Sequence, residues 1–358
     1  MRGASDTPAR VHGGLPRAEL RALGIAAGDV VDFSVSCNPY GPCPTVVDAI
    51  RAAPIDRYPD PTALDAREAL SACLGVAADR IAVGNGAAEL LWTLAQVLVR
   101  PGDPVVVVEP AFGELPAAVA HLGARVHAWR ARPEADFAVD LAAVGRTIRA
   151  CDAALVYLCA PGTPTGTAVP VEAVRELAEA HPATAIVLDQ SFLSLSARFA
   201  DACVALPSNV ACVRSLTKDH AIPGVRIGYV LAAPTLIERV EHGRASWTTG
   251  AAAQAAAIAA TTPAAQAFVA DSRTRLLAER RQLAELLHGL DLAPVASSTG
   301  YLAVRVGDAR ALRDRLLTHH AILVRDCASF GLPAHIRLAA RTVADRARLV
   351  AALRTELS

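Results

Sequence analysis

Lys218 is the only lysine in 358 residues, within a combined total of 35 lysines and arginines. Arginine can stand in for a surface lysine as a cation, but its guanidinium stays protonated and cannot act as an amine nucleophile. Either a coding bias toward arginine spared one lysine by chance, or this position needs an amine. The neighbouring residues decide between the two. Ser215-Leu216-Thr217-Lys218 directly follows the apolar run Val210 to Val213 and precedes Pro223-Gly224-Val225-Arg226-Ile227-Gly228-Tyr229. A hydroxyl, the lysine and an arginine therefore leave one strand end together. Enclosure between strand-forming segments would lower the ammonium pKa toward that of a reactive amine; the bland alternative is a solvated loop with an incidental cation.

Three further loops carry groups suited to the same chemistry. Gly84-Asn85-Gly86-Ala87-Ala88-Glu89 follows Ile81 to Val83 and opens a helical pattern. Glycines there permit close backbone approach, and the N–H groups of a helix start attract an anion such as phosphate, although such a turn is often only a turn. Asp189 ends the apolar run Val187-Leu188. Opposite a pyridine nitrogen it would keep a ring protonated and make it an electron sink; in isolation it is an ordinary strand-end aspartate. Phe112, in Pro110-Ala111-Phe112, could stack on a planar cofactor or simply belong to the core.

The elements that must position these groups read as alternating strands and helices. Candidate strands are Ile81 to Val83, Val105 to Val108, Arg125 to Ala128, Ala154 to Leu158, Ala185 to Leu188, Val210 to Val213 and Ile227 to Leu231. Most are apolar without alternation, as in strands covered on both faces of a mainly parallel sheet. Ala87 to Val99 has helical spacing of Leu90, Leu91, Leu94, Val97 and Leu98. Beyond Leu231 come long Ala-, Leu- and Arg-rich helical stretches, with a closely packed helix over Gly250 to Ala260. Strand-like Tyr301 to Val306, a helix at Ala309 to Leu317, and strands at Ile322 to Arg325 and Ile336 to Leu338 close the chain. The fold class is α/β, with a smaller α+β C-terminal domain. Three parts are expected: an arm over 1–35 packing on the small domain, a large domain over 36–232, and an interdomain helix with the small domain over 233–358.

Composition narrows the partners. Equal totals of 35 acidic and 35 basic residues leave no basic field for nucleic acid. No apolar run reaches the roughly 20 residues of a membrane span, and no signal-peptide pattern opens the chain, so a cytoplasmic location is expected. The eight cysteines, Cys37, Cys43, Cys73, Cys151, Cys159, Cys203, Cys212 and Cys327, lack a Cys-x-x-Cys pair and read as reduced, mostly buried thiols, with no metal site. Small molecules and a second copy of the chain remain as partners.

Gly102-Asp103-Pro104 to Phe112, Pro161-Gly162-Thr163-Pro164-Thr165-Gly166, Asp189, and Ser215-Leu216-Thr217-Lys218 through Arg226-Ile227-Gly228-Tyr229 resemble, in order and spacing, the class I/II aminotransferases of pyridoxal-phosphate (PLP) fold type I. The likeness covers nearly the whole chain. Within it, His12-Gly13-Gly14, Asp32-Phe33-Ser34, Asn38-Pro39, Arg57-Tyr58-Pro59-Asp60, Ala221-Ile222-Pro223-Gly224 and Ile322-Leu323-Val324-Arg325-Asp326-Cys327 resemble the histidinol-phosphate aminotransferase branch, and in particular its L-threonine-O-3-phosphate decarboxylases of cobalamin biosynthesis.

That resemblance implies PLP as cofactor, with Lys218 carrying it as a Schiff base, Asp189 on its ring nitrogen and Phe112 stacked on it. Ser215, Arg226 and the amides of Ala87 and Ala88 would hold its phosphate, and Tyr58 would reach it from the other subunit of a homodimer. Thr163 stands where the family usually has Asn beside the ring oxygen. His12, Asn38, Arg325 and Arg337 would bind substrate, Arg337 gripping its α-carboxylate and Arg325 and His12 its phosphate. Phe192 and Gln190 are further departures, replacing a common hydroxyl and a common Glu. The implied activity is decarboxylation of L-threonine-O-3-phosphate to (R)-1-amino-2-propanol phosphate; the alternative is an aminotransferase acting on histidinol phosphate or another amino-acid-like substrate. A regulator of this fold would carry an added DNA-binding domain, for which the arm before His12 is too short.

Overall fold

A computed structural model describes residues 12–203, 205 and 207–357 of the chain. Its strands are β1 (Val31–Asp32), β2 (Ile81–Gly84), β3 (Pro104–Glu109), β4 (Arg125–Arg130), β5 (Leu155–Cys159), β6 (Ala185–Asp189), β7 (Val210–Ser215), β8 (Gly228–Leu231), β9 (Tyr301–Arg305), β10 (Ile322–Leu323), β11 (Arg325–Asp326) and β12 (His335–Ala339). Seven form one sheet in the order β2-β8-β7-β6-β5-β3-β4, three form an antiparallel sheet β11-β12-β9, and β1 pairs with β10 in parallel.

The large sheet is buried on both faces, which is why its strands read as continuous apolar runs. Val105, Val107, Tyr157, Val187 and Val213 face one core, beneath the helix Ala87–Leu98. Val106, Val108, Val156, Leu158, Ile186 and Leu188 face a second core on the opposite side. Parallel pairing runs through β4, β3, β5, β6 and β7, so Phe112, Thr163, Asp189 and Ser215 all gather at or beyond C-terminal strand ends, where open α/β sheets bind ligands.

One strand reverses. β8 runs antiparallel to both β7 and β2. An antiparallel return needs no crossover helix, so a short loop suffices between β7 and β8, and that loop carries Lys218. The weakest strand pattern, from Arg125, is a true edge strand: one neighbour instead of two leaves its residues half exposed and interrupts the apolar run. The Ile322 to Arg325 segment divides into β10 and β11, which pair with different sheets on either side of Val324.

Helical expectations hold for the alanine-rich segment, a helix over Ala251–Ala260, whose small side chains permit close packing on the helices Pro44–Ala52 and Leu64–Leu74. The long helix Pro263–His288 begins with Thr262 accepting a hydrogen bond from the Ala265 amide and Pro263 at its first position. A separate core joins Val31 and Phe33 to Leu302, Leu316, Ile336, Leu338 and Leu353, around the small sheet. Seven cysteines are free thiols, four of them buried; the side chain of Cys203 lies outside the described set. No helix among the described residues is long and apolar enough to cross a membrane.

Leu353 lies on the helix Val343–Leu357 with no exposed surface, wedged into the small-sheet core. Leu353→Ala removes its contacts and leaves a cavity, so urea unfolding is expected to show a loss of about 2–5 kcal/mol.

Candidate functional site

The reversed strand β8 lines up three small residues. Gly228 is the register partner of Ser215 on one side and of Gly84 on the other. A Cβ at Gly228 would lie 2.7 Å from the Arg214 carbonyl oxygen and 2.9 Å from the Ala87 amide nitrogen, so only glycine lets these backbones approach. Gly86, at φ 84°, caps the helix Ala87–Leu98, and a Cβ there would meet the Arg226 guanidinium at 2.5 Å. Arg226 itself is anchored by its Nη1, which donates to the Pro223 carbonyl at 3.1 Å. Ser215 Oγ and Thr217 Oγ1 are 2.7 Å apart. Two hydroxyls, a guanidinium and the amides of a helix start form a cradle for a dianion.

Lys218 opens from the far side of this cradle into a cavity of about 810 Å³. Burial pushes its pKa below that of an ordinary lysine; Cys37 and Asp189 oppose this, and Arg337 and Arg226 add to it. Its Nζ lies 4.8 Å from the centre of the Phe192 ring. The backbone of the loop is pinned, with the Asn38 amide donating to the Lys218 carbonyl at 2.8 Å.

Asp189 lines the same cavity and is 5% exposed at the end of β6. Its Oδ1 accepts from the Ser191 amide at 2.9 Å and its Oδ2 from the Tyr157 hydroxyl at 3.1 Å. Phe112 also lines the cavity. An amine of lowered pKa, a carboxylate and an aromatic side chain on one cavity, with a phosphate cradle, fit the donor pattern of pyridoxal phosphate. That group supplies an aldehyde for the amine, a ring nitrogen for the carboxylate and a phosphate for the cradle.

A second cationic region faces the same cavity. Arg325 and Arg337 are register partners on β11 and β12 and are 4% and 8% exposed. Arg337 donates to Thr163 Oγ1 at 3.1 Å and to the Ser34 carbonyl at 2.7 Å, while its Nε is buried without a partner among the described residues. Arg325 donates to Ser329 Oγ at 2.6 Å and lies against the Phe330 ring. His12 Nε2 is 2.8 Å from Glu114 Oε1, and Trp92 Nε1 donates to the other oxygen of Glu114 at 2.6 Å.

His12, Ala87, Ala88, Phe112, Thr163, Asp189, Ser215, Lys218, Arg226, Arg325 and Arg337 thus share one cavity. Two expected residues do not line it. Asn38 is buried with both ends of its amide engaged, Nδ2 on the Asp219 carbonyl and Oδ1 on the Tyr40 amide, so it holds the lysine loop instead of a substrate. Tyr58 is 80% exposed and stacks on Trp247 at 4.9 Å, outside the cavity of its own chain. Gln190 also turns away, accepting from Arg214 Nε at 3.0 Å, so this departure does not touch the cavity. Cys37, Glu114, Thr217 and Ser329 line the cavity without having been singled out. Thr217 and Glu114 had a legible signal, one position from the lysine and two from Phe112; Cys37 and Ser329 had none.

A family model described as aminotransferase class I and II matches residues 28–353. A histidinol-phosphate aminotransferase from Cupriavidus pinatubonensis is 32% identical over 96% of this chain and 93% of its own length. The crystal structure of a histidinol-phosphate aminotransferase from Sinorhizobium meliloti with pyridoxal-5'-phosphate superposes with a TM-score of 0.86, at 29% identity, covering 100% of this chain and 98% of that one. An L-threonine-O-3-phosphate decarboxylase from Porphyromonas gingivalis reaches a TM-score of 0.79 at 26% identity, covering 91% and 98%. These findings overturn the expected decarboxylase activity. The segments from which it was read do not distinguish two enzyme types built on one scaffold, and the relatives found over the full length are aminotransferases.

Gly228→Ala tests the cradle. The added methyl must displace backbone on both sides, so affinity for pyridoxal phosphate is expected to fall at least about tenfold, followed by fluorescence titration, with a stability loss of about 1–3 kcal/mol in urea. Unchanged affinity would mean that the three backbones do not form the phosphate site.

Proposed function

This chain belongs to the class I and II aminotransferase family, and on that premise we propose that it is a PLP-dependent aminotransferase whose amine donor carries a phosphate, as histidinol phosphate does. The observation that carries this reading is the pair Arg325 and Arg337, adjacent on neighbouring strands and nearly sealed from solvent beside the only lysine. Two guanidiniums exceed what one carboxylate needs and suit a dianion, which they can grip in bidentate fashion. The same pair suits the carboxylate of an amino-group acceptor in the second half of the reaction. Histidinol-phosphate aminotransferases among the chain's relatives support the choice.

When bound, the cofactor supplies an aldehyde carbon for the amine and a protonated ring that accepts electrons. The remaining work falls to side chains. Lys218 would hold the cofactor through its Nζ, and the same Nζ would move the proton at the substrate carbon. Asp189 would pair with the ring nitrogen, Phe112 would lie against the ring, and Thr163 would stand beside the ring oxygen. Ser215, Arg226 and the amides of Ala87 and Ala88 would hold the phosphate. Arg325 and Arg337, with His12 at the mouth, fix the substrate so that its C–H bond faces Lys218. In this reading residues 36–232 would form the cofactor domain, and the C-terminal part, with the described arm residues 12–35, would bring Arg325 and Arg337. The exposed Tyr58 suits a homodimer in which it completes the partner's site.

Two measurements test this. Borohydride reduction of the holoenzyme is expected to fix one pyridoxyl group on Lys218, and Lys218→Ala to abolish it. The lowered pKa leaves a neutral, reactive amine at pH values where an exposed lysine is still protonated, so capture persists further below pH 10 than for free lysine. Second, histidinol phosphate with 2-oxoglutarate is expected to yield glutamate, and Arg337→Met to lower kcat/KM by about 100-fold or more. No glutamate from this or any other phosphorylated amine would overturn the proposal.

A further inference from the structure

Tyr157 is fully buried in the middle of β5, in the core beneath the helix Ala87–Leu98. Its neighbours there include Val105, Val107, Val187 and Val213, so its ring has the surroundings of a phenylalanine. A phenylalanine would serve that packing equally well and would spare the cost of burying a hydroxyl. The hydroxyl has one carboxylate partner. Cys159 and Asp189 are register partners on β5 and β6, and Tyr157 precedes Cys159 by two residues on the same face. That diagonal distance is within reach of a long side chain. The Tyr157 hydroxyl donates to Asp189 Oδ2 at 3.1 Å and lies 3.5 Å from the Cys159 sulfur.

The proton pattern of this chain of groups is determined. A phenol has one proton to donate, and an ionised carboxylate only accepts. Burial pushes the Tyr157 hydroxyl well above its ordinary pKa and the Cys159 thiol up to about 12, so both stay protonated at neutral pH. The thiol can donate to the phenol oxygen and the phenol to Asp189. With Ser191 N–H on Oδ1, two protein donors fix the plane of the carboxylate. Lone pairs remain on both oxygens for a third donor from the cavity side.

We propose that Tyr157 is a positioning residue that acts through Asp189, holding its carboxylate aimed at the ring nitrogen of the cofactor. The inference rests on the proposed pairing of Asp189 with that nitrogen. Tyr157 does not line the cavity and touches no ligand; its influence passes entirely through one hydrogen bond.

The test separates this influence from core packing. Full-length chain freed of cofactor is titrated, by protein fluorescence, with pyridoxal phosphate and with its 1-deaza analogue, in which a C–H replaces the ring nitrogen. Tyr157→Phe keeps the packing and removes the donor. It is expected to weaken pyridoxal phosphate about tenfold, the scale of a hydrogen bond to a charged group, and to leave the analogue within about twofold. Asp189→Asn is expected to lose the same discrimination, and Tyr157→Phe added to it to change nothing further. Tyr157→Phe without effect on either ligand, or with equal loss on both, overturns the inference while leaving the Asp189 assignment standing. If Asp189→Asn itself treats the two ligands alike, the ring-nitrogen pairing falls and the role of Tyr157 falls with it.

Discussion

Everything in the site depends on how closely three backbones pack where β8 runs between β7 and β2. Gly228 sits at the contact, flanked by Ser215 and Gly84, with no room for a single methyl group. Because these strand ends converge, a serine hydroxyl, the start of a helix and the Arg226 guanidinium face one point. The same reversal of β8 makes the connection from Ser215 back to Gly228 a short loop. Lys218 therefore lies three residues beyond Ser215, with its carbonyl accepting from the Asn38 amide.

The second constraint is electrostatic. Lys218 shares its cavity with Arg226, Arg325 and Arg337, and repulsion from Arg337 and Arg226 adds to burial in lowering the pKa of the amine. Arginine is suited to such a role because its charge survives burial, whereas a lysine in the same positions would shed its proton. In the proposed reading, a chain with a single lysine separates two tasks: permanent cations for anions, and one amine that can lose its proton. Arg337 links the tasks. It reaches Thr163 with one nitrogen and the Ser34 carbonyl with another, tying the β12 sheet to the loop after β5 and to the segment after β1.

The departures from the family pattern sort themselves by location. Gln190 packs on Arg214 outside the cavity and leaves the ring environment untouched. Thr163 and Phe192 both line the cavity, so they alter the groups that surround the cofactor. Thr163 keeps a hydroxyl whose oxygen already accepts from Arg337, leaving its own proton to donate. Phe192 offers only a ring face, packed edge-on against Tyr301 and near Lys218.

Residue type and local order were enough to specify the α/β alternation, the amine, the carboxylate at the end of β6 and the hydroxyl–lysine–arginine loop, because each is encoded within a few positions and by chemistry that few side chains share. Branch identity was not legible in the same way: segments such as His12-Gly13-Gly14 suggested a decarboxylase, yet the full-length relatives are aminotransferases, since reaction type follows from ligand orientation in the cavity and not from the segments that build it. Tertiary structure alone decided the reversed strand, the split of Ile322 to Arg325 between two sheets, the withdrawal of Asn38 to the lysine loop and the bond from Tyr157 to Asp189. Each of these depends on residues far apart in the chain meeting at a definite register, and register is set by the packing of whole strands, which no local pattern contains.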